Sequence, residues 1–134
     1  MRSRLLCIVV VASGFACENA VAPSLAPSVY RIVEVDGRAL PTELPVMGRG
    51  GCTVRTLYRS EFAFGLDSTF EQRFWFSPDS GAHPAIYRTS YVQRGLSLEI
   101  SEGAGQGSFR RGSLRIDMPT TQICEALTWE AELR

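Results

Sequence analysis

Three observations predict an all-β domain of about eight antiparallel strands, joined in an up-and-down meander that closes into a small barrel. From Tyr30 onward, apolar and polar residues alternate with a period of two, as in strands with one buried and one solvated face. Turn-forming residues separate the alternating runs at short intervals. No long helical pattern occurs, which leaves no room for the crossovers of a parallel sheet. A sandwich would fit the same pattern, but we favour the barrel, in which closure removes exposed strand edges.

The alternating runs give the strands in order. In the last run, Leu127, Trp129, Ala131 and Leu133 separate cleanly from the polar residues between them. The first run is less regular and ends at the strong turn dipeptide Asp36-Gly37. The predicted strands cover residues 29–35, 52–66, 70–76, 86–92, 96–100, a short stretch around 109, 114–118 and 127–133.

The second run is too long for a typical strand, so we expect a bend, bulge or break near Ser60. Leu57 is the exception in this run: it is apolar but falls on the polar face, because alternation places its neighbour Tyr58 on the apolar face. On the return strand Trp75 falls on the polar face and is expected to be exposed. Residues 40–51 are rich in proline and glycine, and we interpret them as a flap over one end of the barrel.

Seven aromatic residues are predicted to face one interior. An eight-stranded barrel either leaves a cavity that such side chains line, as an apolar ligand site, or is filled by them. In a domain this small we expect filling, and the cavity stays the alternative. These residues are Tyr58, Phe62, Phe64, Phe70, Phe74, Phe76 and Trp129.

The N-terminal segment, residues 1–16, has the parts of a secretory signal: Arg2 and Arg4, then a short apolar run, then small residues. The apolar run is about half the ~20 residues that a membrane-spanning helix needs. Ala16-Cys17 resembles the cleavage site of bacterial lipoproteins, in which the cysteine carries a lipid. Cleavage after Ala22 is the alternative. Residues 17–28 then form a flexible tether, and residues 29–134 form the barrel domain.

Cysteine parity supports the same interpretation. Removal of the signal segment takes Cys7 away and leaves Cys17, Cys52 and Cys124, an odd number in an oxidising compartment. If Cys17 carries a lipid, Cys52 and Cys124 remain as a natural disulfide pair. Two unpaired thiols are the alternative. The expected location is therefore the cell envelope, with a lipid anchor in a membrane, or else a soluble periplasmic or secreted form.

Several short motifs together resemble a known group, the small lipocalin-like lipoproteins of bacteria. The resemblance covers nearly all of the chain after the signal segment and implies a lipocalin-like barrel. It implies no catalytic or ligand-binding residues. The motifs are the stretch 30–37 followed by Leu40-Pro41, residues 67–70, Tyr91 ahead of Gly95 and residues 96–98, residues 112–114, and the closing strand with Trp129.

The sequence offers no enzyme site and no cofactor site. His83 is the only histidine and lies in a loop of turn formers, where a solvated side chain is expected. The acidic residues Glu71, Glu99, Glu130 and Glu132 fall on outward positions. The glycine-rich stretch 103–107 lacks the helix and lysine of a phosphate loop, so we interpret it as a hairpin corner. We would consider an enzyme only if two carboxylates converged in a concave pocket.

Two functions remain. The net charge is zero, without a basic cluster, which argues against nucleic acid as a partner. The first function is an envelope-anchored binding protein for a small apolar ligand. The second is a structural or protein-interaction module with a solid core, which meets an envelope protein through loop 40–51 or loop 77–84.

Overall fold

The computed structural model describes residues 27–79, 81–110, 112–119 and 123–134. In these residues nearly all regular structure is extended, as the alternation of apolar and polar residues predicts. One short 3-10 turn, Ser101–Gly103, connects two of the strands. The strands are β1 (Ser28–Val35), β2 (Arg38–Ala39), β3 (Thr42–Gly48), β4 (Gly51–Leu57), β5 (Arg59–Phe64), β6 (Thr69–Trp75), β7 (Ala85–Arg94), β8 (Ser97–Ile100), β9 (Gly105–Arg110), β10 (Ser113–Met118) and β11 (Leu127–Leu133).

Eight of these strands form a closed antiparallel barrel. The order around it is β1, β5, β6, β7, β8, β9, β10 and β11, and β11 pairs with β1 to close the ring. From β5 to β11, strands that are consecutive in the chain pair with each other. The topology is therefore up-and-down, apart from β2, β3 and β4, which lie between β1 and β5 in the chain. The predicted fold class, an all-β meander closed into a small barrel consistent with a lipocalin-like fold, is confirmed.

The barrel core follows from period-two alternation. On β6, Phe70, Gln72 and Phe74 point inward and are nearly inaccessible to solvent, whereas Thr69, Glu71 and Arg73, which alternate with them, are partly exposed. On β11, Trp129 and Ala131 are buried in the same way. Burial of apolar surface on this scale is the main favourable contribution to folding.

The two ends of the barrel differ. Ser28 and Phe64 pair at one end, where the described chain begins. Val35 pairs with Trp129 toward the other end, where Phe74 also pairs with Ala85. We call the second end the lid end.

The lid end is covered by the hairpin β3–β4, which we call the lid hairpin. Its strands pair along their full length, from Thr42 with Leu57 to Gly48 with Gly51. Leu44 is completely buried and joins the barrel core. These pairings show that the stretch 40–51, interpreted from the sequence as a flap, supplies the first strand of this hairpin, and that the second strand comes from the start of the long run 52–66.

A second segment holds the lid hairpin in place. Val46 forms an isolated bridge with Ile123, and the backbone N–H of Cys124 donates to the carbonyl of Pro45 at 2.8 Å. Beside this contact Cys52 and Cys124 form a disulfide, with their Cα atoms 6.2 Å apart. The predicted pairing of these two cysteines is confirmed, and it attaches the tip of the lid hairpin to the chain just before β11.

A β-bulge separates β4 from β5. Arg59 pairs with Trp75, and the N–H of the preceding residue, Tyr58, donates to the carbonyl of the same Trp75 at 2.9 Å. Two residues on one strand therefore face one on the other, which reverses the side-chain alternation. As a result Leu57 and Ser60 both lie inside.

The bulge corrects one sequence prediction. The interruption expected near Ser60 falls at Tyr58, and the Tyr58 side chain is 39% exposed rather than interior. Leu57, the apparent exception in the sequence, is the inward residue at this point, with no exposed surface. Period-two alternation places Val54 and Leu66 on the same face as Tyr58, but both are exposed, because β4 belongs to the lid hairpin and Leu66 lies in a turn.

Trp75 also differs from its prediction. It lies on the outer face of β6, as expected, yet it is only 8% exposed. The following loop folds back over it, and its indole N–H donates to the carbonyl of Ala82 at 3.1 Å. The guanidinium of Arg59 covers its ring at 3.8 Å. An outward position is therefore buried by contacts that alternation does not encode.

The glycine-rich stretch 103–107 is only partly the predicted corner. The turn ends at Gly103, which has a φ of 69°, and the strand β9 already begins at Gly105. A Cβ atom on Gly107 would lie 3.1 Å from Ile116 Cγ1 and 3.2 Å from Leu98 Cδ2. Glycine is required there because the side chains of both neighbouring strands occupy that space.

Candidate functional site

The interior of the barrel is occupied by aromatic rings in contact with one another. Phe62 lies 5.4 Å from Phe70 and 6.4 Å from Trp129, measured between ring centroids. Phe64 lies 5.5 Å from Phe70, and Phe74 lies 6.0 Å from Trp129. Spacings of 4.5–7 Å are typical of packed aromatic pairs. These five rings, all predicted to face the interior, are buried and form a packed core.

Two further tyrosines complete this core near the end of the barrel opposite the lid. Tyr30 packs edge-on against Phe64 at 5.8 Å, and Tyr91 does so at 5.0 Å. Burial raises the pKa of both phenols, and Asp67 adds to the rise at Tyr91. Both hydroxyl groups are therefore neutral at pH 7.

Phe76, the seventh aromatic residue of the predicted set, lies at the lid end and is only partly buried. Its ring is parallel to that of Phe74, with an interplanar angle of 9° and 6.0 Å between centroids. It thus extends the interior ring contacts to the surface, beneath the lid hairpin. The sequence placed it correctly on the core side but gave no sign that it reaches the mouth of the barrel.

A cleft of about 400 Å³ opens where Phe76 meets the lid hairpin, and we call it the lid cleft. Its floor is aromatic, one wall comes from the lid hairpin, and the other comes from Ile123 and β7. A mainly apolar concave site with very few polar groups is typical of small-molecule binding. The lining residues are Val46, Met47, Arg55, Phe74, Phe76, Ala85 and Ile123.

Arg55 is a site residue that the sequence pattern did not indicate. On β4 it pairs with Leu44, and its guanidinium carbon lies 4.3 Å from the centroid of the Phe76 ring. In the alternating run of residues 52–66 it falls on the polar face, and it is exposed. The missing information was the partner of β4, since only pairing with β3 brings Arg55 over the mouth of the barrel.

The acidic residues that the sequence assigned to outward positions do not converge on one point. Glu99 and Asp117 both line a groove of about 460 Å³, but each pairs with Gln106, so β9 lies between them. Asp117 accepts a hydrogen bond from the Thr128 hydroxyl at 2.6 Å. Glu130 lies 3.8 Å from Arg115, and Glu132 is exposed.

Glu71 is held by two arginines on the outer face. Arg73 Nε donates to Glu71 Oε1 at 2.6 Å, and Arg88 Nη2 donates to Glu71 Oε2 at 2.8 Å. The hydrogen bond from Arg73 is the main cause that lowers the Glu71 pKa, and Arg88 contributes further. Two neighbouring cations that already bind this carboxylate make it a structural ion pair.

The remaining predictions concern His83, metal ligands, membrane-spanning helices and Cys17. His83 is exposed in its loop, as expected. No group of three or more potential metal ligands occurs among the described residues. Within the same residues, no helix has both the length and the apolar character needed to cross a membrane. Cys17, with the predicted signal segment and most of the tether, lies outside the described residues.

Comparison with protein-family models, with curated proteins and with solved structures gave no match. The fold and the site together define the class: a closed eight-stranded antiparallel barrel with a packed interior and a disulfide-linked lid hairpin.

Proposed function

We propose that this protein is an exported, lipid-anchored barrel that binds a small, mainly apolar molecule in the lid cleft. The observation that carries the proposal is the cleft itself, whose floor is the partly exposed ring of Phe76, parallel to the buried ring of Phe74, beneath the lid hairpin. The packed rings inside the barrel favour this position over an interior cavity, which was the alternative left open by the sequence.

The proposed anchor rests on the N-terminal sequence and the cysteines. The Cys52–Cys124 disulfide supports an oxidising compartment, because disulfides persist there and are rare in the cytosol. It also uses two of the three cysteines that follow the signal segment, which leaves Cys17 for the lipid. Since β1 begins at the end of the barrel opposite the lid, a tether before Ser28 would point the lid cleft away from the membrane.

Ligand binding is tested with the neutral fluorescent probe N-phenyl-1-naphthylamine. We expect saturable binding to the mature protein and at least a fivefold loss of affinity in Phe76→Ala, because truncation removes the floor of the cleft. Tyr58→Ala is the matched control: it removes an aromatic ring that is more exposed and does not line the cleft. Absence of saturable binding would reject the proposed function, and equal losses in both variants would reject the lid cleft as its site.

The anchor is tested by intact mass. We expect the protein purified from membranes to begin at Cys17 and to carry acyl chains, and Cys17→Ser to be released into the soluble fraction. An unmodified N-terminus in the wild-type protein would reject lipidation without affecting the ligand proposal.

A second candidate function, a protein-interaction module, is favoured by the free edge of the lid hairpin. Within the described chain β4 pairs only with β3, so its outer edge presents unpaired backbone groups. Val54 and Met47, which are 66% and 56% exposed, lie on the same hairpin. An extended peptide could add to such an edge as a further strand.

Crosslinking in envelope fractions tests this second function. We expect a specific partner to be lost in Val54→Arg and kept in Leu66→Arg, the matched control, since Leu66 is 80% exposed in a turn outside the lid hairpin. Recovery of the same proteins with both variants would count against the lid hairpin as an interaction surface.

A further inference from the structure

Among the described residues, Arg55 is the one charged residue that lines the lid cleft. Its guanidinium lies over Phe76 at 4.3 Å, a distance at which a cation is attracted to the face of an aromatic ring. The Phe76 ring is in turn parallel to that of Phe74, which lies deeper in the barrel. Arg55 therefore covers the outer of these two rings. The cation therefore sits directly beside the apolar floor.

The arginines that lie near carboxylates make a useful contrast. Arg73, Arg88, Arg115 and Arg134 each lie within 4 Å of an aspartate or glutamate oxygen. Arg55 has no such carboxylate among the residues that the structure describes, and the cleft lining contains no acidic residue. Its charge is thus balanced only by the ring beneath it and by solvent.

We propose that the lid cleft is selective for amphipathic carboxylates, with the carboxylate bound to Arg55 and the apolar part of the ligand against Phe76, Val46 and Ile123. This inference rests on the proposed function and names its ligand class. A guanidinium that lies over an aromatic ring can still donate two parallel hydrogen bonds to a carboxylate through its N–H groups. A single cation also matches a single negative charge.

The test compares three molecules with the same ten-carbon chain and different head groups: decanoate, decanol and decyltrimethylammonium. Binding to the mature protein is measured by calorimetry below the micelle-forming concentrations, at low salt and at high salt. We expect decanoate to bind about fivefold more tightly than decanol at low salt, decyltrimethylammonium to bind most weakly, and the preference for decanoate to shrink at high salt, because an exposed ion pair is weak and screened.

Arg55→Gln supplies the decisive variant. We expect it to lower the decanoate affinity about fivefold more than the decanol affinity, so that the preference for decanoate over decanol disappears, because the ion pair contributes only to decanoate binding. Arg49→Gln is the matched control: it removes the same charge from the turn of the same hairpin, at a position that does not line the cleft. Circular dichroism of both variants verifies that the fold is kept.

The outcomes separate the two proposals. Equal affinities for decanoate and decanol in the wild-type protein would overturn the carboxylate preference while the apolar site stands. Equal losses of decanoate affinity in Arg49→Gln and Arg55→Gln would also overturn it, because they indicate a general charge effect. Failure of all three molecules and of the neutral naphthylamine probe to bind would overturn the proposed function itself.

Discussion

Gln72 lies directly opposite Phe62 across the β5–β6 pair, inside the barrel. It is only 1% exposed, and its amide nitrogen has no hydrogen-bond partner among the described residues. A buried donor without a partner loses its hydration and gains nothing in return.

We therefore expect Gln72→Leu to raise the free energy of unfolding by about 1 kcal/mol, since it replaces an unpaired amide with an apolar side chain of similar size. Chemical denaturation measures this change. Gln93→Leu is the control, because the amide of Gln93 donates to the carbonyl of Gly95 on the surface, and it should give no gain. A comparable loss of stability in Gln72→Leu would show that the amide has a partner such as a bound water.

The disulfide makes a second prediction. Cys52 and Cys124 are separated by 72 residues, and the chain-entropy model predicts a large stabilisation for a loop of that length. The double variant Cys52→Ser/Cys124→Ser should lower the free energy of unfolding by roughly 2–5 kcal/mol. The variant is compared with the wild-type protein with and without reductant.

Reductant should reduce the stability of the wild-type protein to that of the double variant and leave the double variant unchanged. Alkylation of Cys52 and Cys124 in unreduced, denatured protein would contradict the bond.

Gly107 tests the packing between β8, β9 and β10. A Cβ atom there would lie 3.0 Å from the Arg115 carbonyl, and both neighbouring side chains would have to move. Gly107→Ala should lower the free energy of unfolding by about 1–3 kcal/mol. Gly50→Ala is the control: a Cβ atom at that position would have no described atom within 4 Å, so the change should be neutral or slightly stabilising. Equal effects in the two variants would contradict the close approach at β9.

The hydrogen-bonded ion pairs of Glu71 are expected to account for part of the loss of stability in acid. Its pKa is lowered in the folded protein, chiefly by the hydrogen bond from Arg73, so the folded state favours the charged form. This contribution is fully present above the ordinary glutamate pKa of about 4.3 and is lost as the pH falls through the lower folded value. Glu71→Gln should thus cost up to about 1 kcal/mol at pH 7 and progressively less toward pH 2.

Denaturation curves across this pH range measure the difference between Glu71→Gln and the wild-type protein. Glu132→Gln is the control, since Glu132 is exposed and has no ion pair in the described structure. A difference that stays constant with pH would show that Glu71 acts through packing and not through its charge.

The sequence predicted the barrel because local alternation determines which side chains of a strand share a face. Phe62, Phe70 and Trp129 were placed correctly for this reason. Tyr58 was placed wrongly, because a single bulge reverses the alternation and only the apolar exception at Leu57 indicated it.

The candidate site could not be predicted in the same way, because it depends on contacts between distant parts of the chain. Arg55 meets Phe76 only after β4 has paired with β3 and the disulfide has attached that hairpin to Cys124. Trp75 is buried by a loop that folds back over it, an arrangement set by the tertiary structure. Local patterns predict neither contact.

The pairing of β1 with β11 has a consequence for how the molecule is made. A ribosome produces β1 first, so its second neighbour is missing until residues 127–133 have emerged. The ring stays open through most of synthesis. The free edges of β1 and β10 then expose unpaired backbone groups that could pair with other nascent chains. Premature termination just before Leu127 would make this vulnerable state permanent, so such a product should aggregate and not persist as a smaller soluble protein.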